Sequence, residues 1–189
     1  MSGQKNTHIE WVVRPAEIRD AQAVDQLLMD SYQHLLAASY DAAVLEKALP
    51  LITKGQTELL ECGTWYVAEH PIDGTLAGCG GWTLRKPKKT VTESDEGQQA
   101  HSVPHLRHFA TRSDMARKGV GKAIWAKSWE DIKKMCPQGS QTVLEVFSTF
   151  TAEPFYASVG FDKVKEMTVP LTADFDFPCT LMRRDPKTN

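Results

Sequence analysis

Apolar residues along the chain follow two rhythms, and a change of rhythm marks each predicted element. Val24, Leu27, Leu28 and Leu35 recur at helical spacing behind Asp20, a helix-capping residue type, and predict a first helix. Val44, Leu45, Ala48, Leu49 and Ile52 do the same behind Asp41, in a region closed by Gly63. A further helix is predicted over Gly121 to Met135, with Trp125, Trp129, Ile132 and Cys136 on one apolar stripe. The other rhythm is that of strands. Val12-Val13 reads as a short first strand, stopped by Arg14-Pro15. Thr64 to Glu69, rich in aromatic and β-branched residues, turns at Asp73-Gly74 and returns as Leu76 to Leu84. Gly78, Gly80 and Gly81 interrupt that return strand, as glycines do at a bulge or a close backbone approach. Leu106 to Thr111 and Thr142 to Phe147 are two more strands. Thr151 caps a short helix with Pro154 in its first turn, and Gly160 ends it. Val164 to Val169 and Thr180 to Met182 close the chain as short strands.

Helices alternate with strands, but hairpins dominate. The pattern predicts one α/β domain over residues 1–189, with a mixed, mostly antiparallel sheet and helices on both faces. Residues 1–9 are polar and read as a flexible tail, and the polar stretch Lys86 to Gln99 reads as a mobile loop.

Composition narrows the function classes. A chain of 189 residues can bury a core without staples. Its formal net charge of -2 gives no global field toward nucleic acid or anionic lipid, so any anion site must be local. No stretch approaches the ~20 apolar residues of a membrane span. Cys62, Cys79, Cys136 and Cys179 show no C-x-x-C spacing, so free thiols in a reducing cytoplasm are expected, with no metal site.

The sharpest local feature is Ala116-Arg117-Lys118-Gly119-Val120-Gly121-Lys122, between a strand and a helix. Gly119 and Gly121 let the backbone turn tightly. The first helical amides lack intrahelical partners and sit at the positive end of the dipole. With Arg117, Lys118 and Lys122, they make a site for a pyrophosphate. A basic turn before an amphipathic helix is the plainer reading. A nucleotide P-loop fits poorly, because Ala123 stands where a metal-binding hydroxyl is required.

Thr149 to Phe161 follows about thirty residues later and contains Phe155-Tyr156-x-x-x-Gly160-Phe161. The two motifs in this order and spacing resemble the GNAT superfamily of acetyltransferases, and the similarity runs from Val13-Arg14-Pro15 to the last strand. Gly78-Cys79-Gly80-Gly81-Trp82 also looks like the third strand of many members. The resemblance implies acetyl-CoA as co-substrate. Backbone groups of Phe109, Ala110 and Thr111 would meet the pantetheine arm. Arg117, Lys118, Gly119, Val120, Gly121 and Lys122 would hold the pyrophosphate, and Tyr156 would sit near the CoA sulfur. Many relatives carry Asn at the position of Thr149; here Ser148 and Thr149 are the polar candidates.

Acyl transfer to an amine requires a neutral amine, an oxyanion donor and a proton for the leaving thiolate. Tyr156 is the acid candidate, or else a core aromatic beside Phe155. His105, His108 and Glu145 are candidate bases, and a water chain could replace all three. Strand alternation puts residues 105, 107, 109 and 111 on one face and 106, 108 and 110 on the other, so the two histidines should face opposite ways. Tyr32, His34 and Tyr40 are candidates for the acceptor pocket. The expected activity is direct transfer, in a ternary complex, to a primary amine of a small molecule, amino acid or peptide. The alternative is an inactive acyl-CoA-binding module. Exposed sheet edges leave room for a homodimer.

Overall fold

A computed structural model describes residues 9–84, 103–136 and 138–186. The predicted tail and the Lys86 to Gln99 loop lie outside these, apart from Ile9. The elements in order are β1 (Val12–Pro15), α1 (Ala21–Leu35), α2 (Ala42–Ile52), α3 (Thr57–Glu61), β2 (Trp65–Glu69), β3 (Leu76–Thr83), β4 (His105–Thr111), α4 (Val120–Met135), β5 (Leu144–Ser148), α5 (Glu153–Ser158), β6 (Asp162–Thr172) and β7 (Phe175–Arg184). The strands form one sheet in the order β1-β2-β3-β4-β5-β7-β6. Only β4 and β5 run parallel, joined by the crossover through α4. The other described pairs are antiparallel. This is the mixed α/β sheet that the hydrophobic pattern predicts.

Two cores sandwich the sheet. On one face Val24, Leu27, Leu28, Leu45, Leu59 and Leu60 pack against Trp65, Val67, Cys79 and Ala110. On the other, Val120, Ile124, Ile132 and Tyr156 pack against Tyr66, Ala77, Trp82, Leu106 and Val146. Consecutive residues of β2 enter opposite cores, as strand alternation requires.

Several elements depart from expectation. Pro15 belongs to β1 and is tolerated there because β1 is an edge strand, where a missing N–H costs no ladder bond. Asp20 does not cap α1 with its side chain; its carboxylate takes two bonds of 2.8 Å from Arg14 and one of 2.8 Å from the Glu17 N–H. α5 starts at Glu153, beyond Thr151, which lies in a preceding 3-10 turn. The buried stripe of α4 is Val120, Ile124, Ser128 and Ile132. Trp125 and Trp129 stack on its flank, 5.8 Å apart, under the guanidinium of Arg184. Periodicity found that helix but placed the tryptophans one position too deep. The closing strands are a long hairpin, and α3 carries too few residues to show a period.

Candidate active site

The turn into α4 is built from two left-handed residues. Arg117 has φ 66° and Gly119 φ 88°. At Gly119 a Cβ would meet nothing nearer than the Trp11 indole nitrogen at 4.0 Å, so the backbone conformation alone calls for glycine there. The indole of Trp11 donates to the Lys118 carbonyl at 3.0 Å and pins the turn to the start of the sheet. Asp30 of α1 accepts from the Ser113 N–H at 2.7 Å and its hydroxyl at 3.0 Å, holding the segment leading into it. Helical bonding begins with the Ala123 N–H to the Gly119 carbonyl at 3.0 Å, so the amides of Val120, Gly121 and Lys122 precede the ladder. No acid sits in the first turn of α4, although that is where acids are favoured. Arg117, Lys118 and Lys122 are exposed, and none forms an ion pair among the described residues. Amides without partners and cations without ion pairs among the described residues, at a positive dipole end, suit an anion. Gly121 has a second role: a Cβ there would lie 3.1 Å from the ring of Phe155, so its bareness lets α5 approach α4.

This turn opens onto a gap in the sheet. β4 and β5 pair only at His105 with Glu145 and Leu106 with Val146, then diverge. The cause is a bulge: Cys79 faces Ala110 while Gly81 faces Arg107, so β4 carries one extra residue opposite Gly80. His108 takes up that residue at φ 48°, a conformation uncommon outside glycine. Gly80 permits it, because a Cβ there would sit 2.7 Å from the Phe109 ring. Beyond the bulge, Ala110 and Thr111 pair with β3 on one side and, with Phe109, border the gap on the other. Ser148 ends β5 across it, and Thr149 follows. The Ser148 hydroxyl donates to the Thr149 carbonyl at 2.7 Å, leaving Thr149 the less committed hydroxyl.

The bulge corrects the predicted strand phase. Phe147 lies opposite the α4 side taken by Leu144 and Val146, and its ring meets that of His105 at 4.5 Å. His108 contacts the hydroxyl of Tyr32 on α1 at 3.5 Å and the amide of Gln56, just before α3, at 3.4 Å. Both histidines therefore face the α1 side. They do not share a location, since His105 and Glu145 pair where the strands are closed and His108 stands where they part. Desolvation, helped by the neighbouring Arg107 cation, lowers the His108 pKa to about 4.

Tyr156 lies on α5 at 3% exposure, ringed edge-on by Phe109, Phe155 and Phe161. Burial raises its phenol pKa, which keeps it protonated as a donor. The core-aromatic and donor readings thus describe the same residue. Tyr40 is structural: stacked between Phe150 and Phe177, it donates to the Pro178 carbonyl at 3.0 Å and accepts from the Phe150 N–H at 2.9 Å. His34 is exposed beside Asp30. Sequence reasoning missed Arg107 and Gln56; the glycines of β3 were the only hint of the bulge that gathers them.

The comparisons agree with this geometry. The family model of the acetyltransferase (GNAT) domain matches residues 91–170. Similar solved structures include a GCN5-related N-acetyltransferase from Rhodopseudomonas palustris, at TM-score 0.64 and 16% identity, covering 94% of this chain and 97% of that one. Another is the PaiA N-acetyltransferase from Thermoplasma acidophilum in complex with coenzyme A, at 0.62 and 13%, covering 94% and 99%. A GNAT-family acetyltransferase from Staphylococcus aureus aligns at 0.59 and 12%, covering 94% and 100%. No curated protein matches the chain in sequence. At these identities the structures establish a shared fold, and residues 91–170 are similar in sequence to the acetyltransferase (GNAT) domain.

Proposed function

We propose that the protein moves an acetyl group from acetyl-CoA directly to a primary amine of a small molecule, amino acid or peptide, both substrates being bound together. The observation that carries this reading is the amide cradle of Val120 to Lys122 beside the β4–β5 gap, with Tyr156 packed against Phe109 of β4. Arg117, Lys118 and Lys122 would hold the pyrophosphate beside Gly119 and Gly121. Backbone groups of Phe109 to Thr111, with Thr149 opposite, would line the pantetheine path. Bound acetyl-CoA supplies the thioester.

Direct transfer is favoured by the state of Cys79, the thiol nearest the bulge. Its Sγ lies 3.7 Å from the His108 carbonyl, and burial pushes its pKa up, so it stays protonated and is a poor acyl carrier. Tyr156 hands its proton to the departing thiolate. His105 and Glu145 sit at the closed end of the gap, and His108 is neutral at pH 7. An imidazole of pKa about 4 has little pull on an amine proton held at about 10.4. The amine therefore loses its proton to water, with no single-residue base. We place the reaction in the cytoplasm; among the described residues no helix is long and apolar enough to cross a membrane.

Acetyl-CoA turnover against a panel of amines, with free thiol as the readout, tests this reading. Acetylation of at least one amine is expected. Tight CoA binding with no amine acetylated would favour an inactive acyl-CoA-binding module instead.

A further inference from the structure

A chain of side chains crosses the α1 face of the bulge. The Arg107 guanidinium donates from Nη2 to Gln56 Oε1 at 3.1 Å. The amide nitrogen of Gln56 lies 3.4 Å from His108 Nε2, and His108 Nδ1 lies 3.5 Å from the Tyr32 hydroxyl. These residues come from the loop before α3, the bulge and α1. Tyr32 in turn lies within electrostatic reach of Cys79 and Tyr156.

The direction of each bond follows from what each group can do. A guanidinium only donates. Gln56 must therefore turn its oxygen to Arg107, since the flipped amide would set NH2 against a cation. Its NH2 then points at His108 Nε2, which must accept. The imidazole proton belongs on Nδ1, because an Nε2–H would face the amide hydrogens. Nδ1–H can donate only to the Tyr32 oxygen, which leaves the hydroxyl hydrogen of Tyr32 turned away from the imidazole.

From this geometry we infer that Arg107 and Gln56 lock His108 as its Nδ1–H tautomer, making Gln56 and His108 positioning residues that aim the Tyr32 hydroxyl hydrogen into the reaction gap. The consequence for transfer rests on the acetyl-transfer reading above; the tautomer itself does not. It also gives the half-buried Arg107 a purpose. Among the described residues its guanidinium bonds to the neutral Gln56 and, at 3.5 Å, to the Thr83 hydroxyl, while the Glu58 carboxylate of α3 acts on it electrostatically. The groups facing His108 are Arg107 on β4, Gln56 from the α3 side, Tyr32 on α1 and Cys79 on β3, with Glu58 acting on Arg107 behind them.

Nitrogen NMR of the histidine rings in the full-length protein tests the lock without any substrate. His108 is expected to be neutral at pH 7 and protonated on Nδ1. Gln56→Glu puts a carboxylate between Arg107 and the imidazole, so His108 should switch to Nε2–H and titrate at higher pH. Arg107→Leu, which removes the anchor, should give a mixture of tautomers and stands in if Gln56→Glu misfolds. In turnover, Tyr32→Phe should lower kcat on the order of tenfold or more with little change in KM, while His108 keeps its tautomer. Wild-type His108 protonated on Nε2, or an unchanged tautomer and titration in both Gln56→Glu and Arg107→Leu, overturns the inference. Absence of turnover with the expected NMR result would sink the acetyl-transfer reading and leave the lock standing.

Discussion

Where α4 begins, recognition rests on backbone: three amides ahead of the helical ladder, a left-handed glycine and cations that point to solvent. Across the gap, at the β4 bulge, it rests on side chains from three separate segments bonded to one another, running from the exposed Gln56 inward to the buried Tyr32. The first wall recognises charge with groups that any sequence supplies once the turn is made. The second depends on Tyr32, Gln56, Arg107 and His108 in particular. A substitution at the first wall should therefore act through backbone conformation and ligand affinity, and one at the second through proton positions and rate.

The largest effect is expected where the walls meet. Tyr156→Phe keeps the ring among Phe109, Phe155 and Phe161 and removes only the proton donor. Turnover should fall ~10²-fold with CoA affinity nearly unchanged. Equal single-turnover rates for the two proteins would reduce Tyr156 to a packing residue.

Gly119→Val tests the backbone wall. The site has room for the side chain but not for its conformation, with strain of about 1–3 kcal/mol. Calorimetry should show CoA affinity down by roughly tenfold or more, since ~1.4 kcal/mol is a factor of ten. Gly121→Val is the less clean probe, because its Cβ would meet Phe155 and disturb packing as well. Unchanged affinity in folded Gly119→Val would show that the turn does not hold the cofactor.

Gly80→Ala tests the support of the side-chain wall. Its Cβ would lie 2.7 Å from the Phe109 ring, and crowding of this kind costs about 1–3 kcal/mol. Denaturant unfolding should show that loss, and the His108 ring signals should shift. Wild-type stability with unmoved signals would mean that the bulge does not need a bare position opposite it.

The remaining effect is a pH dependence, which leaves stability at neutral pH unchanged. The unfolded imidazole titrates near 6.5 and the folded His108 near 4, so the unfolded chain binds the proton first. Stability should therefore decline as pH is lowered from about 6.5 to about 4. His108→Asn should flatten that limb in unfolding curves measured across the range. A limb of the same slope in the variant would assign it to other groups.

Much of the first wall was legible in the chain. Gly119, Gly121 and three basic residues between a strand and an amphipathic helix specify an anion-binding turn through local conformation alone. Phe155-Tyr156 and Gly160-Phe161 likewise mark a short helix and its exit. The alternation of strands and helices fixed a mixed sheet with two cores, because each element's buried face is written in its own period. Only tertiary structure decided the second wall. One extra residue in β4 changes which side chains share a face, and that insertion is defined by pairing with β3. Tyr32 and Gln56 reach His108 across 76 and 52 residues of sequence, with no shared period to announce it. The protonation of His108 follows from these contacts, since solvent exclusion and the direction of a neighbour's amide are properties of a packed environment.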